Sequence, residues 1–269
     1  MRYAGDGIAC VAAENETALK QGLDAIVVEL EELPGVFDPM TALDPATTIV
    51  GETPRDAPEF PRGNLVTHYI VRKGDPQSEL ASCPVILEED YSTLHQEHAY
   101  IETEGAIAIP APENSGVTVY APCQSPFLNR ANLMRTLGLG EDNIRVIQPH
   151  VGGAFGGKDD LMYQISGQVA KLALLTGRAV KMILSREESI IASYKRDAMH
   201  IQLKLGAQTD GKLRACQVNA TVDSGSVVTR ARNSSRSSAN TCSPNTIDVR
   251  DANRVRTAWQ STAARPTAR

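Results

Sequence analysis

The stretch on which the interpretation of this sequence turns is Val151-Gly152-Gly153-Ala154-Phe155-Gly156-Gly157-Lys158-Asp159. It contains four glycines and lies between two segments of regular pattern. Residues 144–147 are typical of a strand, the apolar positions between residues 161 and 175 follow helical spacing, and Gly177 predicts the end of that helix. A glycine-rich loop between a strand and a helix leaves backbone N–H groups free to face an anion, next to the positive end of the helix dipole.

Regular patterns on both sides of this loop predict an α/β or α+β fold. Ser125 followed by Pro126 is typical of a helix start and Gly138 of a helix end, so we expect a helix over residues 126–137. Asp210-Gly211 lies between two alternating segments and predicts a hairpin. The other predicted elements are a short helix after Asn15 and strands at residues 26–30, 84–87, 106–109, 117–120, 180–184, 199–205 and 213–222.

The composition is that of a soluble protein. The 269 residues are 42% hydrophobic and carry a net charge of −5, which argues against nucleic-acid or membrane-surface binding. The longest apolar runs fall far short of the ~20 residues that span a bilayer. The first residues lack the apolar core of a secretory leader, and the five cysteines form no C-x-x-C pair. We therefore expect a cytoplasmic protein.

The composition changes after Gly225. Residues 226–269 hold eight Arg and two Asp, with no Lys, Glu, Leu, Phe, Tyr or Met, and so carry a charge of +6. Such a segment cannot bury enough apolar surface to offset the entropy lost on ordering. We expect a basic, disordered tail and favour the product of a shifted reading frame. A solvated linker and a nucleic-acid-binding tail are the alternatives.

The glycine loop partly matches a nucleotide phosphate loop. Gly152, Gly157 and Lys158 satisfy the pattern G-x-x-x-x-G-K. The next residue, Asp159, stands where that motif needs Ser or Thr to hold Mg²⁺, and a carboxylate there would repel phosphate. The dinucleotide fingerprint G-x-G-x-x-G does not fit either. A P-loop-like nucleotide-binding module and a tight turn without a ligand remain alternatives.

A second match is more extensive, because several motifs occur in the same order. The segment 152–158 resembles the G-G-x-F-G-G-K segment of the molybdenum-binding subunit of xanthine dehydrogenases and aldehyde oxidases, the molybdenum hydroxylases. The resemblance covers residues 1–225. Its other motifs are Arg2-Tyr3-Ala4-Gly5-Asp6, Glu31-Glu32-Leu33-Pro34-Gly35-Val36-Phe37-Asp38, Gln96-Glu97-His98-Ala99-Tyr100-Ile101-Glu102, Ala121-Pro122-Cys123-Gln124-Ser125-Pro126, Ser185-Arg186-Glu187-Glu188 and Asp210-Gly211.

The resemblance implies an architecture and a chemistry. It implies the remainder of a small α/β hammerhead-type domain with a linker at residues 1–62, then an incomplete molybdopterin-binding domain at residues 63–225. The implied cofactor is molybdenum-molybdopterin, with the cytosine dinucleotide form as one option, and 2Fe-2S and FAD groups are carried by partner subunits or domains. The implied reaction hydroxylates an electron-poor carbon of a small heterocycle or aldehyde with oxygen from water.

The family's general base and further cofactor contacts come after the part that matches here. We therefore expect a fragment that is inactive alone, and a non-catalytic remnant is an alternative.

The resemblance also assigns roles to individual residues. Gln124 would lie over the molybdenum and hydrogen-bond an oxo ligand, for which a neutral amide donor is suited. Phe155 would contribute its backbone at the same metal. The backbone N–H groups expected to face the cofactor are those of Gly153, Ala154, Phe155, Gly156 and Gly157.

Asp159 and Arg196 are the predicted catalytic residues. Asp159 stands where the family often has a Glu that contacts a substrate heterocycle, and the missing methylene weakens the expectation of a purine substrate. Arg196 matches an arginine that orients the substrate or stabilises charge on its ring, a task that suits a guanidinium fork. An ion pair with Asp197 is the structural alternative. The charge of Lys158 is given no part in the chemistry.

A zinc site is the last alternative. His95 and His98 have H-x-x-H spacing, and Glu97 and Glu102 lie nearby, but a convincing third ligand is missing. The resemblance places this stretch in the scaffold of the protein. We therefore expect these side chains to have structural roles.

Overall fold

A computed structural model describes residues 5–44, 46–47, 64–223 and 225, and the backbone alone of residues 65–70, 72, 246–252 and 262–263. The helices in this part are α1 (Glu16–Asp24), α2 (Pro39–Ala42), α3 (Pro76–Ser82), α4 (Pro126–Leu137), α5 (Asp160–Thr176) and α6 (Arg186–Ala192). The strands are β1 (Glu31–Glu32), β2 (Leu65–Arg72), β3 (Val85–Thr93), β4 (Gly105–Pro110), β5 (Val117–Tyr120), β6 (Ile144–Ile147), β7 (Val180–Ile183), β8 (Ala198–Ala207), β9 (Leu213–Asp223), β10 (Thr246–Ala252) and β11 (Thr262–Ala263).

The helix ends follow the local signals in the sequence. The side chain of Asn15 accepts a hydrogen bond from the backbone N–H of Ala18 at 2.9 Å and caps α1. Pro126 occupies the first turn of α4, where its missing N–H is not needed. Gly138 and Gly177 end α4 and α5 with φ values of 68° and 65°, which glycine adopts without strain. These predicted boundaries are confirmed.

One compact unit, the four-strand unit, comprises described residues of 5–29 and 97–196. Its sheet has the order β6-β5-β4-β7, in which β5 and β6 are parallel and the other pairs are antiparallel. Helix α5 packs across β4 and directs its apolar face inward, so Ile165 and Val169 are buried against Val119 of β5. The connection from β6 to α5 is therefore fixed at both ends by the core of this unit.

The other compact unit, the five-strand unit, comprises described residues of 30–96 and 197–265. Its sheet has the order β2-β10-β9-β8-β3, with β9 and β10 parallel and the remaining pairs antiparallel. The predicted hairpin is β8 and β9, and Gly211 in its turn has a φ of 84°. Helix α3 packs against β9. The predicted mixed α/β class is confirmed by both units.

One predicted strand is wrong. Residues 26–30 alternate like a half-buried strand, but the structure assigns no strand to them, and Val27 is 87% exposed. Pairing begins only at Glu31 and Glu32, which lie opposite Ala263 and Thr262. An alternating segment becomes a strand only where a second strand supplies hydrogen-bond partners, and no described strand pairs with residues 26–30.

The predicted domains remain predictions. The compact units alternate along the chain, whereas the domains predicted at 1–62 and 63–225 are consecutive. Within the tail, residues 246–252 form a strand where the composition predicts disorder, and three β-branched residues, Thr246, Ile247 and Val249, suit a strand. Apart from β10 and β11, the tail lies outside the described residues, as does most of the predicted linker. None of the described helices is long and apolar enough to cross a membrane.

Candidate functional site

The glycine loop, residues 151–159, lies between β6 and α5 and has an unusual backbone. Gly153, Phe155 and Gly156 take φ values of 95°, 52° and 98°. Glycine adopts this left-handed region freely, whereas a residue with a Cβ is strained there by about 1–2 kcal/mol. The side chain of Phe155 is 76% exposed, so burial of its ring does not account for the strain. Strain of this kind is typical of functional loops.

Gln124 is held against this loop at two points. Its backbone N–H donates to the carbonyl of Lys158 at 2.9 Å, and its side-chain Oε1 accepts from the backbone N–H of Gly156 at 2.8 Å. Because an N–H donor requires the oxygen of the amide, the orientation of the side chain is fixed. The Nε2 group of Gln124 is therefore the part that can donate outward. The structure thus brings together two of the predicted cofactor-binding elements.

The loop N–H groups fall into two sets. Gly156 donates to Gln124, and Gly157 donates to the carbonyl of Ala154 at 2.8 Å, so both are used inside the protein. The N–H groups of Gly153, Ala154 and Phe155 are used by no hydrogen bond within the described part of the chain. They lie close to the N-terminus of the 17-residue helix α5, which favours an anion or an oxygen ligand. Within the described residues, the set of loop N–H groups that have no protein partner is therefore narrower than the five predicted to face the cofactor.

The segment 97–104 supports the loop from its other side. Lys158 is fully buried, its ammonium forms an ion pair with Glu102, and it lies 4.8 Å from the centroid of the Tyr100 ring. Glu102 also accepts from the backbone N–H of Gly152 at 2.9 Å. Burial raises the pKa of Glu102, but the hydrogen bonds from Lys158 and Gly152 outweigh it, so the pKa lies below its ordinary value.

Two further pairs fix the same segment. Tyr100 donates its hydroxyl hydrogen to the fully buried Glu104, and burial followed by this bond raises the pKa of Tyr100. Glu97 pairs with Lys195 at 2.6 Å and accepts from the hydroxyl of Ser193. Burial raises the pKa of Glu97, and the hydrogen bond and charge of Lys195 lower it more, so the net direction is down. The motif in this segment predicted a scaffold role, but no pattern in the sequence indicated which side chains the segment would contact.

The two predicted catalytic residues occupy different environments. Asp159 is 2% exposed, and its Oδ1 accepts from the hydroxyl of Tyr163 at 3.0 Å, one helical turn further along α5. Arg196 is exposed and lies shortly after the end of α6. The position of Asp159 is thus interior, whereas a substrate contact requires access. Both roles remain predictions.

The histidines have separate contacts. His95 Nε2 lies 3.1 Å from Oδ2 of Asp223 in the five-strand unit. The ring of His98 lies beside Gly157 in the four-strand unit, where a Cβ on that glycine would come within 3.1 Å of Nδ1. Among the described residues, no three His, Cys, Asp or Glu side chains are grouped so that they could hold a metal ion. The structure gives no support to a zinc site here.

The position of Lys158 also bears on the phosphate-loop alternative. A phosphate loop requires a lysine ammonium that reaches the phosphates. Here the ammonium is turned inward, fully buried and paired with Glu102. The nucleotide-binding interpretation is therefore not supported.

Comparison with known proteins agrees with this geometry. The sequence profile of the molybdopterin cofactor-binding domain matches residues 59–253, so it extends past residue 225. A probable xanthine dehydrogenase subunit of Bacillus subtilis (strain 168) is 36% identical over 229 residues, which are 85% of this chain and 29% of that protein. The nicotinate dehydrogenase large molybdopterin subunit of Eubacterium barkeri is 35% identical over 241 residues, covering 86% and 53%. The chain thus spans about a third to a half of these relatives.

Solved structures share the fold. The quinoline 2-oxidoreductase from Pseudomonas putida 86 superposes with a TM-score of 0.79 at 21% identity, over 93% of this chain and 32% of that chain. The aldehyde oxidoreductase from Desulfovibrio desulfuricans ATCC 27774 gives a TM-score of 0.77 at 19% identity, over 94% and 28%. Together with the profile match over most of the chain, this confirms the predicted resemblance. The chain belongs to the molybdopterin cofactor-binding domain family.

Proposed function

We propose that the glycine loop and Gln124 together hold the molybdenum end of a molybdopterin cofactor in an oxidoreductase. The observation that carries this proposal is the bond from Gly156 N–H to Gln124 Oε1. It joins the side chain and the loop into one unit and leaves the Nε2 group of Gln124 as an outward donor. The N–H groups of Gly153, Ala154 and Phe155 add a row of backbone donors on the same loop.

The donor chemistry of this unit fits the cofactor. Oxygen ligands of molybdenum are hydrogen-bond acceptors, and the unit offers an amide and backbone N–H groups, which donate without adding a full charge. The single cation of the loop, Lys158, is buried and forms an ion pair with Glu102. When bound, the cofactor supplies the two-electron redox chemistry of molybdenum. In this assignment Gln124 and Phe155 face the metal, whereas Gly156 and Gly157 shape the loop.

The substrate side is assigned to Arg196 and Asp159. Arg196 is exposed, and a guanidinium group can orient a planar heterocycle or stabilise charge that develops on it. For Asp159, which is 2% exposed at the start of α5, the assignment rests on the resemblance of the motif alone. The proposed reaction is hydroxylation of an electron-poor carbon of a small heterocycle or an aldehyde, with oxygen from water.

The partners follow from the relatives. Two similar proteins are named as a xanthine dehydrogenase subunit and as a large molybdopterin subunit, which supports a multi-subunit enzyme. We propose that iron–sulfur and FAD groups on partner subunits or domains receive the electrons. The cytosine dinucleotide form of the cofactor and a cytoplasmic location belong to the same proposal.

An exchange of segments tests the function. Residues 5–223 of this chain replace the matching segment of the Bacillus subtilis relative, and the hybrid is purified from a host that makes molybdopterin. We expect it to retain molybdenum and to oxidise members of a panel of purines, other N-heterocycles and aldehydes with a dye as electron acceptor. Arg196→Ala should lower kcat/KM by about 100-fold, as expected when a charge-stabilising group is lost, with molybdenum content unchanged.

The matched control is Arg135→Ala, which removes an arginine near the end of α4. It should leave kcat/KM and the molybdenum content unchanged. A folded hybrid that contains no molybdenum would favour the non-catalytic remnant. A hybrid that binds Mg²⁺–ATP but no molybdenum would support the nucleotide-binding alternative.

A further inference from the structure

We propose that Lys158 and Glu102 are positioning residues that hold the glycine loop in the shape that aims its free N–H groups and the Gln124 amide outward. The proposal rests on the proposed function, since positioning presupposes a group for the loop to hold. It assigns a role to the lysine that ends the glycine motif. That role is to support the loop from inside.

Glu102 is attached to the start of the loop. Its backbone N–H donates to the carbonyl of Gly152 at 3.3 Å, and its carboxylate accepts from the N–H of Gly152 at 2.9 Å. A Cβ at Gly152 would lie 2.6 Å from the Cβ of Glu102, so only glycine permits this approach. Glu102 therefore fixes both the position and the direction of the loop entrance.

Lys158 connects the end of the loop to the same anchor. Its ammonium forms the ion pair with Glu102, while its carbonyl accepts from the backbone N–H of Gln124 at 2.9 Å. Lys158 thus connects Gln124 to Glu102 and, through Glu102, to the loop entrance at Gly152. Gln124 in turn accepts from Gly156 at 2.8 Å. Together with the backbone of the loop, these contacts close a ring that includes Gly153, Ala154 and Phe155.

The anchor is itself held in place. Arg186 donates through Nη2 to the carbonyls of Tyr100 and Ile101, at 2.7 Å each. Tyr100 is also held through its hydroxyl by the buried Glu104. The segment that carries Glu102 is therefore fixed from a second direction. A fixed anchor is needed if the ion pair is to set the geometry of the loop.

The energetics of the ion pair favour a positioning role. The ammonium of Lys158 is fully buried, whereas the side chain of Glu102 is 38% exposed. An ion pair that takes a charge out of water is often no more stabilising than apolar side chains of similar volume. An apolar side chain could fill this space beside Tyr100, but it would not select one direction for the carboxylate of Glu102. Beyond its contribution to stability, the pair therefore fixes the direction of the Glu102 carboxylate.

Amide exchange in the 269-residue chain tests the proposal. Selective ¹⁵N-glycine labelling lets NMR follow Gly152, Gly156 and the buried Gly167 of α5 in one sample. In Lys158→Met we expect the amides of Gly152 and Gly156 to exchange about tenfold faster, as for the loss of one hydrogen bond, and their chemical shifts to move. Gly167 should be unchanged, because the core of the unit is retained.

Two further variants complete the test. Glu102→Gln alone leaves the Lys158 ammonium buried without its partner and can unfold the unit. The double variant Lys158→Met with Glu102→Gln removes both charges, so it reports on the loop even in that case. Lys171→Met is the matched control, since Lys171 lies exposed on α5 and should change none of the three signals. Unchanged exchange at Gly152 and Gly156, or equal acceleration at Gly167, would overturn the proposal and leave the pair a purely structural contact.

This result is independent of the cofactor. A loop that loosens in Lys158→Met supports the positioning role even if the segment-exchange hybrid retains no molybdenum, which would count against the proposed function alone. If the hybrid retains molybdenum and Lys158→Met leaves the amide exchange of Gly152 and Gly156 unchanged, the positioning role alone is overturned.

Discussion

Phe155 holds a backbone conformation that glycine adopts without strain. Its φ is 52°, and its ring is 76% exposed, so the chain gains little from packing at this position. In Phe155→Gly we expect the free energy of unfolding to rise by about 1 kcal/mol, the strain of a left-handed non-glycine residue. Urea unfolding of the complete chain measures it. In the segment-exchange hybrid the same change should lower molybdenum content, because the loop becomes more mobile.

The matched control is Phe127→Gly. Phe127 is 83% exposed but lies in the first turn of the right-handed helix α4, where glycine destabilises by roughly 0.5–1 kcal/mol. The two identical replacements should thus change stability in opposite directions. Equal destabilisation by both would show that the conformation of Phe155 stores no strain.

Single residues also show what the sequence could and could not reveal. The motif led to Gln124 and the loop, and the structure joins them. Lys158 was predicted to have no part in the chemistry, and the structure shows it fully buried under the loop. Burial of a lysine depends on a partner 56 residues away, Glu102, and no local pattern encodes such a distant pairing.

Among the elements, the segment 97–104 makes the stability of the four-strand unit depend on pH. The pKa values of Glu97 and Glu102 lie below their ordinary range because Lys195 and Lys158 outweigh the effect of burial. The unfolded chain therefore binds more protons in acid. The stabilisation from these carboxylates is complete above about pH 5 and is lost as the pH falls through the lowered pKa values.

Urea midpoints measured from pH 7 down to about pH 3.5 test this dependence. The double variant Glu97→Gln with Glu102→Gln should lose stability most at pH 7 and show a shallower fall in acid than the unaltered chain. Glu29→Gln, at an exposed position in the same unit, should keep the original slope. An unaltered slope in the double variant would remove these two groups as the cause.

Helices and strands differ in how far the local sequence determines them. Helices α4 and α5 carry their boundaries locally, in Pro126, Gly138 and Gly177, and the sequence predicts these boundaries closely. The strand predicted at residues 26–30 has only an alternating pattern, and it does not form in the structure. A strand depends on a partner elsewhere in the chain, so a local pattern alone is insufficient.

For the molecule as a whole, the resemblance predicted the family, and the profile match and the shared fold confirm it. The domain bounds predicted at 1–62 and 63–225 remain predictions, since the compact units alternate along the chain and do not test them. The shifted-frame origin of residues 226–269 remains a prediction. The profile match extends to residue 253 and β10 covers residues 246–252, so both concern the part of the tail before residue 254. The gene sequence in all three frames would decide the origin of the segment.

Gln124 and the glycine loop are proposed to form one cofactor-holding unit, and a count of metal tests this unit without relying on turnover. Elemental analysis of the segment-exchange hybrid gives molybdenum per protein for the original sequence and for Gln124→Ala. We expect near one molybdenum per original hybrid and a loss of about tenfold or more in Gln124→Ala, as for residues that orient metal ligands. Equal molybdenum in both hybrids, with both folded, would show that Gln124 does not help to hold the cofactor.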